Sequence, residues 1–557
     1  MIERLKFLYQ NPKIQEMRYD RLWHVWESFL HFLFPIYVLL VEFVYTLLYI
    51  GKSRTYISTQ PNNPVLTQSA TCTHREIIEG KITCLQVVDA FIERLEEVDK
   101  VVNGICYRNY STARTKAQAI DEMLNALSHE KRNELSTHRP FLGVPITVKN
   151  NINVKGFRTT CGWFKQKDNV ATEDAPSVQR MREAGAIIVA LTNVPEFCLW
   201  IETSNSMFGQ TNNPYDTRRT CGGSSGGEAA LIASGASVIG IGTDIAGSIR
   251  VPCMFSGLFG LKPSVGISPI DGLFPIDQSS RASMQTVGPM CRYAEDLEPM
   301  FKAICLPSKF TQLLPSKELK EIKFFSFPGF RGGLTEKLTD EQRSVFDKTI
   351  SFFEKEFKRP IPSVDIPYQD QMYEIVAIFL QDGLEKPYCD IMEGTKNPRE
   401  FVVDGVKTIF GSKDTKLSKL SLQVNVNSIF MHGTTKEQVE KAIKLRDQAS
   451  AAMCELLGDD GILCIPGWPT PAPHHNVTVW KHSTIAQTAV WNALGMPVIT
   501  VPLGLSKQGL PLSVQFTASK NNDLTLLKLA EYLDGHSNHC INPEVFPGFV
   551  APWTLNQ

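Results

Sequence analysis

A chain of 557 residues, 43% hydrophobic and 21% charged, has the make-up of a folded globular protein larger than one ordinary domain. Its 57 basic and 58 acidic side chains balance, so no nucleic-acid partner is expected and a small molecule or a membrane is favoured. The 13 cysteines are scattered, with no C-x-x-C pair and no Cys/His cluster at zinc spacing; they read as small buried apolar residues, and neither a metal nor another cofactor is expected.

Residues 1–28 lead into an apolar run, 29–50, of sequence FLHFLFPIYVLLVEFVYTLLYI. About 20 mostly apolar residues suffice to cross a bilayer. Trp23, Trp26, Tyr45 and Tyr49 sit toward its ends, where aromatic rings favour the interface. His31, Pro35 and Glu42 interrupt it, so an amphipathic hairpin on the membrane surface competes with a span. A cleaved signal peptide fits less well, because the run exceeds a signal core and no small-x-small site follows. The expectation is a retained transmembrane anchor over 29–50. Arg4, Lys6, Lys13, Arg18 and Arg21 precede it and only Lys52 and Arg54 follow closely, which puts 1–28 in the cytosol and the body on the lumenal side. That location is the endoplasmic reticulum membrane by this reading, with a lipid-droplet surface as the alternative. The sequons Asn109-Tyr110-Ser111 and Asn476-Val477-Thr478 would be available for glycosylation there.

Residues 51–68 are polar, carry two prolines and read as a linker to a catalytic domain over 69–557. Thr83-x-x-Gln86 is a capping-box pattern that opens a first helix, with Leu85, Val88, Phe91, Ile92 and Leu95 toward the core. A second helix follows at about 111–128. Beyond Pro140 the pattern alternates: strand 144–149, helix 177–184, strand 186–191, a Gly-rich stretch 222–227, helix 228–234 and strand 237–241. Toward the C-terminus, strands 498–503 and 511–516 flank a Ser-Lys-Gln-Gly turn as a hairpin, and 523–533 reads as a helix. The alternation predicts an α/β fold, a twisted mixed β-sheet covered by helices on both faces. The apolar runs within 401–431 fit either a second membrane contact or a packed helix pair.

Three segments concentrate the chemistry: GVPITVKNNINVKG (143–156), CGGSSGGEAALIASG (221–235) and GIGTDIAGSIRVP (240–252). Their small residues allow tight turns whose successive N–H groups converge on one small space, a cradle for an oxyanion. The phosphate-binding patterns G-x-x-x-x-G-K-[ST] and G-x-G-x-x-G are absent. Gly222-Gly223-Ser224-Ser225-Gly226 also satisfies G-x-S-x-G, which would make Ser224 a nucleophile needing a downstream acid and a histidine such as His474 or His475.

These segments resemble the amidase-signature family. The family's G-G-S-S-G-G-E stretch is matched by Gly222–Glu228, its G-T-D-x-G-G-S-x-R by Gly242–Arg250, and its earlier V-K by Val148-Lys149. The likeness runs on through 257–266, 286–297 and 510–516 and covers most of 75–535, loosely over 305–440. It implies a Ser-Ser-Lys triad: Ser248 as nucleophile, Ser224 as bridge, Lys149 as general base and then acid. The N–H groups of Ile245, Ala246, Gly247 and Ser248 would hold the oxyanion. Lys149 must then rest neutral, since an ammonium has no lone pair with which to take a proton. Two residues depart from the family pattern: Ala246 stands where a glycine is usual, and Asn150 where an acid commonly follows the lysine.

Within the family, the apolar N-terminus and the stretches 192–200 (TNVPEFCLW) and 288–297 (GPMCRYAEDL) look most like membrane-anchored fatty-acid amide hydrolases. That resemblance implies long-chain primary amides and ethanolamides as substrates, Cys198 beside the substrate carbonyl, and a homodimer. The alternatives are a small-amide hydrolase, an amidotransferase subunit or a catalytically silent membrane scaffold.

Overall fold

The computed structural model describes residues 36–57, 63–275, 279–330, 336–382, 435–480 and 482–534. Ten strands form its main sheet: β1 (Ile105–Arg108), β2 (Pro145–Lys149), β3 (Ile187–Thr192), β4 (Ile239–Asp244), β5 (Phe259–Lys262), β6 (Thr286–Cys291), β7 (Lys323–Ser326), β8 (Gly461–Pro466), β9 (Val498–Leu505) and β10 (Pro511–Ala518). Their order across the sheet is β1-β3-β2-β4-β6-β5-β9-β10-β8-β7. β2 runs parallel to both β3 and β4, and β7 to β8, while the remaining neighbours are antiparallel. The sheet is therefore mixed, as the alternating pattern predicts.

The central strands β2, β3 and β4 are buried at every position. A strand covered on both faces has no polar side to present, hence runs such as Ile-Ile-Val-Ala-Leu in place of strict alternation. The predicted hairpin is β9–β10, closed by Ser506 N–H to Leu510 O (2.8 Å) and Gly509 N–H to Ser506 O (2.8 Å).

The capping box is present. Thr83 accepts from Gln86 N–H, Gln86 accepts in return from Thr83 N–H, and the helix Cys84–Val102 buries Val87, Val88, Phe91, Leu95 and Val98. Leu85, expected in the core, is half-buried. An earlier helix that the periodicity does not announce, Ala70–Ile78, is capped by Ser69. Its stretch Thr-Cys-Thr-His-Arg-Glu shows little apolar repeat.

The polar stretch read as a linker lies partly on the body. Thr217 N–H donates to Thr55 O (2.9 Å), Ile57 N–H donates to Pro214 O (3.2 Å), and the 3-10 turn Pro64–Thr67 buries Val65 and Leu66. Of the predicted anchor, residues 29–35 fall outside the described residues, and 36–49 are helical. Among the described residues no helix is long and apolar enough to cross a membrane. Leu39, Leu40, Phe43, Leu47 and Leu48 are exposed on it, Tyr45 is buried, and Tyr49 stacks on His474 with ring centroids 4.6 Å apart. The segment 401–431 also falls outside the described residues. The sequon asparagine Asn109 is buried and its amide donates to Ile188 O at 2.7 Å, so the folded body does not offer it for glycosylation.

Candidate active site

Parallel pairing sets Thr147 beside Gly240 and Val148 beside Ile241, so β2 and β4 end at the same edge of the sheet. Lys149 is the last residue of β2, and Thr243 and Asp244 are the last of β4. The Lys149 side chain is wholly buried, with Nζ 2.7 Å from Ser224 Oγ, 2.7 Å from Thr243 Oγ1 and 3.3 Å from Thr243 O. Ser224 arrives on the Gly-rich turn that opens the helix Gly226–Ala233. That turn needs a missing side chain at Gly227, where a Cβ would meet Asn193 N at 2.4 Å. Ser225 N–H donates to Ser248 O (3.1 Å) and ties the two small-residue segments together. Ser224, Ser248, Cys198, Thr243, Ile245 and Asn151 line one pocket.

The 245–248 turn takes its shape from Asp244. Its carboxylate accepts from Gly247 N–H (2.7 Å), Ile249 N–H (3.1 Å), Arg250 Nε and Nη2 (both 3.0 Å) and Asn492 Nδ2 (2.9 Å). Burial pushes this carboxyl up, but the Arg250 guanidinium and the Asn492 amide outweigh it and hold it well below the usual carboxylate range. Gly247 has φ +126°, and a Cβ there would meet Thr488 Oγ1 at 2.4 Å, so only glycine fits. Ala246 lies outside the positive-φ region and its carbonyl accepts from Thr488 Oγ1 (2.5 Å). The backbone at this departure from the family pattern therefore suits an alanine. Asn150, the other departure, braces the following loop, accepting from Thr160 Oγ1 (2.6 Å) and donating to Arg158 O (2.8 Å).

Burial pulls the Lys149 amine below the ordinary lysine range, against the opposing influence of Cys198, Cys161, Asp244 and Glu228. Glu228 is buried and pushed up to about 8, held between Thr147 Oγ1 (2.5 Å) and Thr192 Oγ1 (3.0 Å), so at neutral pH it is a carboxylic acid more than a counter-ion. Glu228 thus does little to keep Lys149 protonated.

Of the residues singled out in the sequence, Lys149 and Ser224 touch, and Ser248, Ile245 and Cys198 share their pocket. Ala246 and Gly247 complete the turn between Ile245 and Ser248. Among the described contacts no hydrogen bond joins the Ser224 and Ser248 hydroxyls, a separation common in unliganded sites. His474 and His475 lie elsewhere, near the Arg218 and Thr217 carbonyls (3.2 Å each), and neither lines the pocket. Among the described residues, neither histidine that the G-x-S-x-G reading offered Ser224 reaches its pocket. Thr243, Arg281 and Gln285 belong to the site and were not singled out; Thr243 sits inside the recognised motif, whereas Arg281 and Gln285 reach the pocket from a 3-10 turn with no sequence signal.

The family profile described as Amidase matches residues 86–527. The chain is 34% identical over 496 residues to fatty-acid amide hydrolase 2 of Homo sapiens, covering 88% of this chain and 91% of that one. It is 35% identical over 505 residues to fatty-acid amide hydrolase 2-B of Danio rerio, again 88% and 91%. A solved fatty acid amide hydrolase superposes with a TM-score of 0.69 at 21% identity, covering 86% of each chain, which shows the shared fold. The chain belongs to the amidase-signature family, as a hydrolase acting on amides.

Proposed function

We propose that this protein is a membrane-associated serine hydrolase that cleaves fatty-acid amides, primary amides and N-acylethanolamines among them, to a fatty acid and an amine. The observation that carries the reading is the buried Lys149 Nζ 2.7 Å from Ser224 Oγ, with Ser248 in the same pocket. A buried, neutral lysine has the lone pair that a general base needs. As Ser248 Oγ attacks the amide carbon, its proton passes to Ser224, whose own proton moves to Lys149. The relay then runs backward to the leaving nitrogen, which departs as an amine instead of an amide anion. Water, deprotonated along the same path, hydrolyses the acyl-enzyme.

The oxyanion falls to the N–H groups of the 245–248 turn. The N–H of Gly247 already donates to Asp244, so Ile245, Ala246 and Ser248 carry that task and Gly247 sets the turn's path. Cys198, on the pocket wall, stands beside the position of the substrate carbonyl. The long acyl chain is supported by the likeness to fatty-acid amide hydrolase 2, and the membrane setting by the exposed leucines of helix 36–49. An apolar surface that meets lipid concentrates the enzyme where such substrates dissolve.

A fluorophosphonate probe on the detergent-solubilised protein, with peptide mapping, tests the chemistry. Labelling is expected at Ser248, abolished in Ser248→Ala and slowed at least about 100-fold in Lys149→Ala, the scale of a lost general base. Labelling at Ser224 would overturn the mechanism, and no labelling of folded protein would point to a silent scaffold. Hydrolysis of short amides in preference to long ones would move the substrate to the small-amide branch of the family.

A further inference from the structure

One turn of the pocket wall carries Cys198, and a second turn packed against it carries the buried Cys161. Cys161 follows the loop braced by Asn150, and Cys198 ends the 3-10 turn Glu196–Cys198. Phe197 N–H donates to Cys161 O (2.9 Å), which holds the two turns side by side, and the sulfurs lie 3.4 Å apart. Cys161, Phe197 and Cys198 all have positive φ (49°, 55° and 55°), so an uncommon backbone sets the direction in which each Cα–Cβ bond leaves the chain. Among the described residues no other two cysteines are in sulfur–sulfur contact.

We propose that Cys161 and Cys198 are a redox-active dithiol that closes to a disulfide at the wall of the pocket and switches the hydrolase off. The oxidant class is a low-molecular-weight disulfide. Cys198 lines the pocket and Cys161 is fully buried, which orders the steps. The Cys198 thiolate attacks the reagent, forming a mixed disulfide and expelling one thiolate. Cys161 then attacks the Cys198 sulfur and expels the second. Two protein thiols lose two electrons and two protons, and the reagent leaves as two thiols.

The electrostatics agree with that order. Burial pushes the Cys198 thiol up, yet the Cys161 S–H, the Ser224 hydroxyl and the Arg281 guanidinium act against burial and make Cys198 the more acidic of the two thiols. Burial leaves Cys161 well above the ordinary thiol value. The lower of the two is the one that faces the pocket, as an attacking thiol should be.

Closure shortens the sulfur–sulfur distance from 3.4 Å to about 2.05 Å, a change of roughly 1.4 Å that the two side chains and the turns at 160–162 and 196–198 share. Phe197 and Cys198 line the pocket that holds Ser248, so the wall takes up part of a change on the scale at which misplacement of reacting groups costs catalysis heavily. The switching-off rests on the hydrolase reading above, whereas the disulfide itself does not.

The test equilibrates the full-length, detergent-solubilised protein in buffers of bis(2-hydroxyethyl) disulfide and 2-mercaptoethanol. Acid quenching, alkylation and peptide mapping follow, with parallel assays of short-amide hydrolysis and fluorophosphonate labelling. A Cys161–Cys198 cross-link is expected, with kcat/KM and labelling rate falling together at least about tenfold and returning with dithiothreitol. Cys161→Ser, or Cys161→Ala should the first fold poorly, should give no cross-link and hold its rate within about twofold across the same buffers. Free thiols at both positions in the most oxidising buffer, or a Cys198 link to Cys106, would overturn the proposal; so would a cross-link that leaves labelling unchanged. If the cross-link forms and slows labelling while the reduced enzyme cleaves no amide, the dithiol stands and the amide reading falls.

Discussion

As the proposed general base, Lys149 depends on what surrounds its amine. Burial favours the neutral form, and the Ser224 and Thr243 hydroxyls, each 2.7 Å away, hold Nζ in place. Activity that depends on neutral Lys149 is lost as pH falls through its pKa, so kcat/KM should show an acidic limb assignable to this residue. The Thr243 oxygen can accept from the ammonium and so favours the charged form. Thr243→Val should lower kcat about tenfold with little change in KM, because the amine loses a partner that orients it. The same change should move the acidic limb to lower pH. A pH–rate profile of both proteins on a soluble amide checks it; a limb that stays put would detach Thr243 from the titration of Lys149. Lys149, Ser224 and Ser248 are legible in the sequence because they sit in dense local patterns, whereas Cys198 is singled out only by the family resemblance. Cys161 is not legible, since its partner lies 37 residues away and only the fold joins them.

At the level of elements, one ion pair fixes the turn that carries Ser248. Asp244 ends β4 and Arg250 begins the helix Arg250–Ser256, and Arg250 reaches on to Thr488 O (2.9 Å) in the helix Ala486–Ala493. Both side chains of the pair are fully buried. Arg250→Met should cost about 3–5 kcal/mol, since it leaves a buried carboxylate without its cation. Urea unfolding measures it, and Asp244→Asn added to Arg250→Met should recover part of the loss; no recovery would mean that Arg250 acts by packing alone. The sign of the pH effect follows from the depressed Asp244 pKa. Its stabilisation is complete above the ordinary aspartate value near 4 and is lost as pH falls through the lower native one. The Arg250→Met protein should therefore show a flatter acid limb of stability.

For the molecule as a whole, the question is how the body stands to the segment before it. Helix 36–49 touches the body through Tyr49 on His474, while residues 52–57 run along it. Deleting residues 1–50 removes the stack and leaves the strands of the site untouched. Turnover of a soluble short amide should stay within about threefold, while turnover of a long-chain amide presented in vesicles should fall at least about tenfold through lost co-localisation. Equal loss on both substrates, in a body that remains folded by circular dichroism, would make the segment part of the catalytic unit and not a separable anchor.

What the sequence determined by itself is whatever is written in local repetition. Unbroken apolar runs marked strands, the capping box marked the start of Cys84–Val102, and clustered glycines and serines marked the turns that hold Ser224 and Ser248. Side-chain direction alternates or repeats every few residues, so these features need no distant partner to be seen. Tertiary structure decided the rest. The parallel register of β2 on β4 put Lys149 beside Thr243, and the turns at 161 and 198 brought two sulfurs together. The fold also buried the Asn109 amide against Ile188, closing a glycosylation signal that the sequence leaves open. The reason is common to all three: contacts between residues far apart in the chain depend on how elements pack, and packing leaves no periodic mark on either partner.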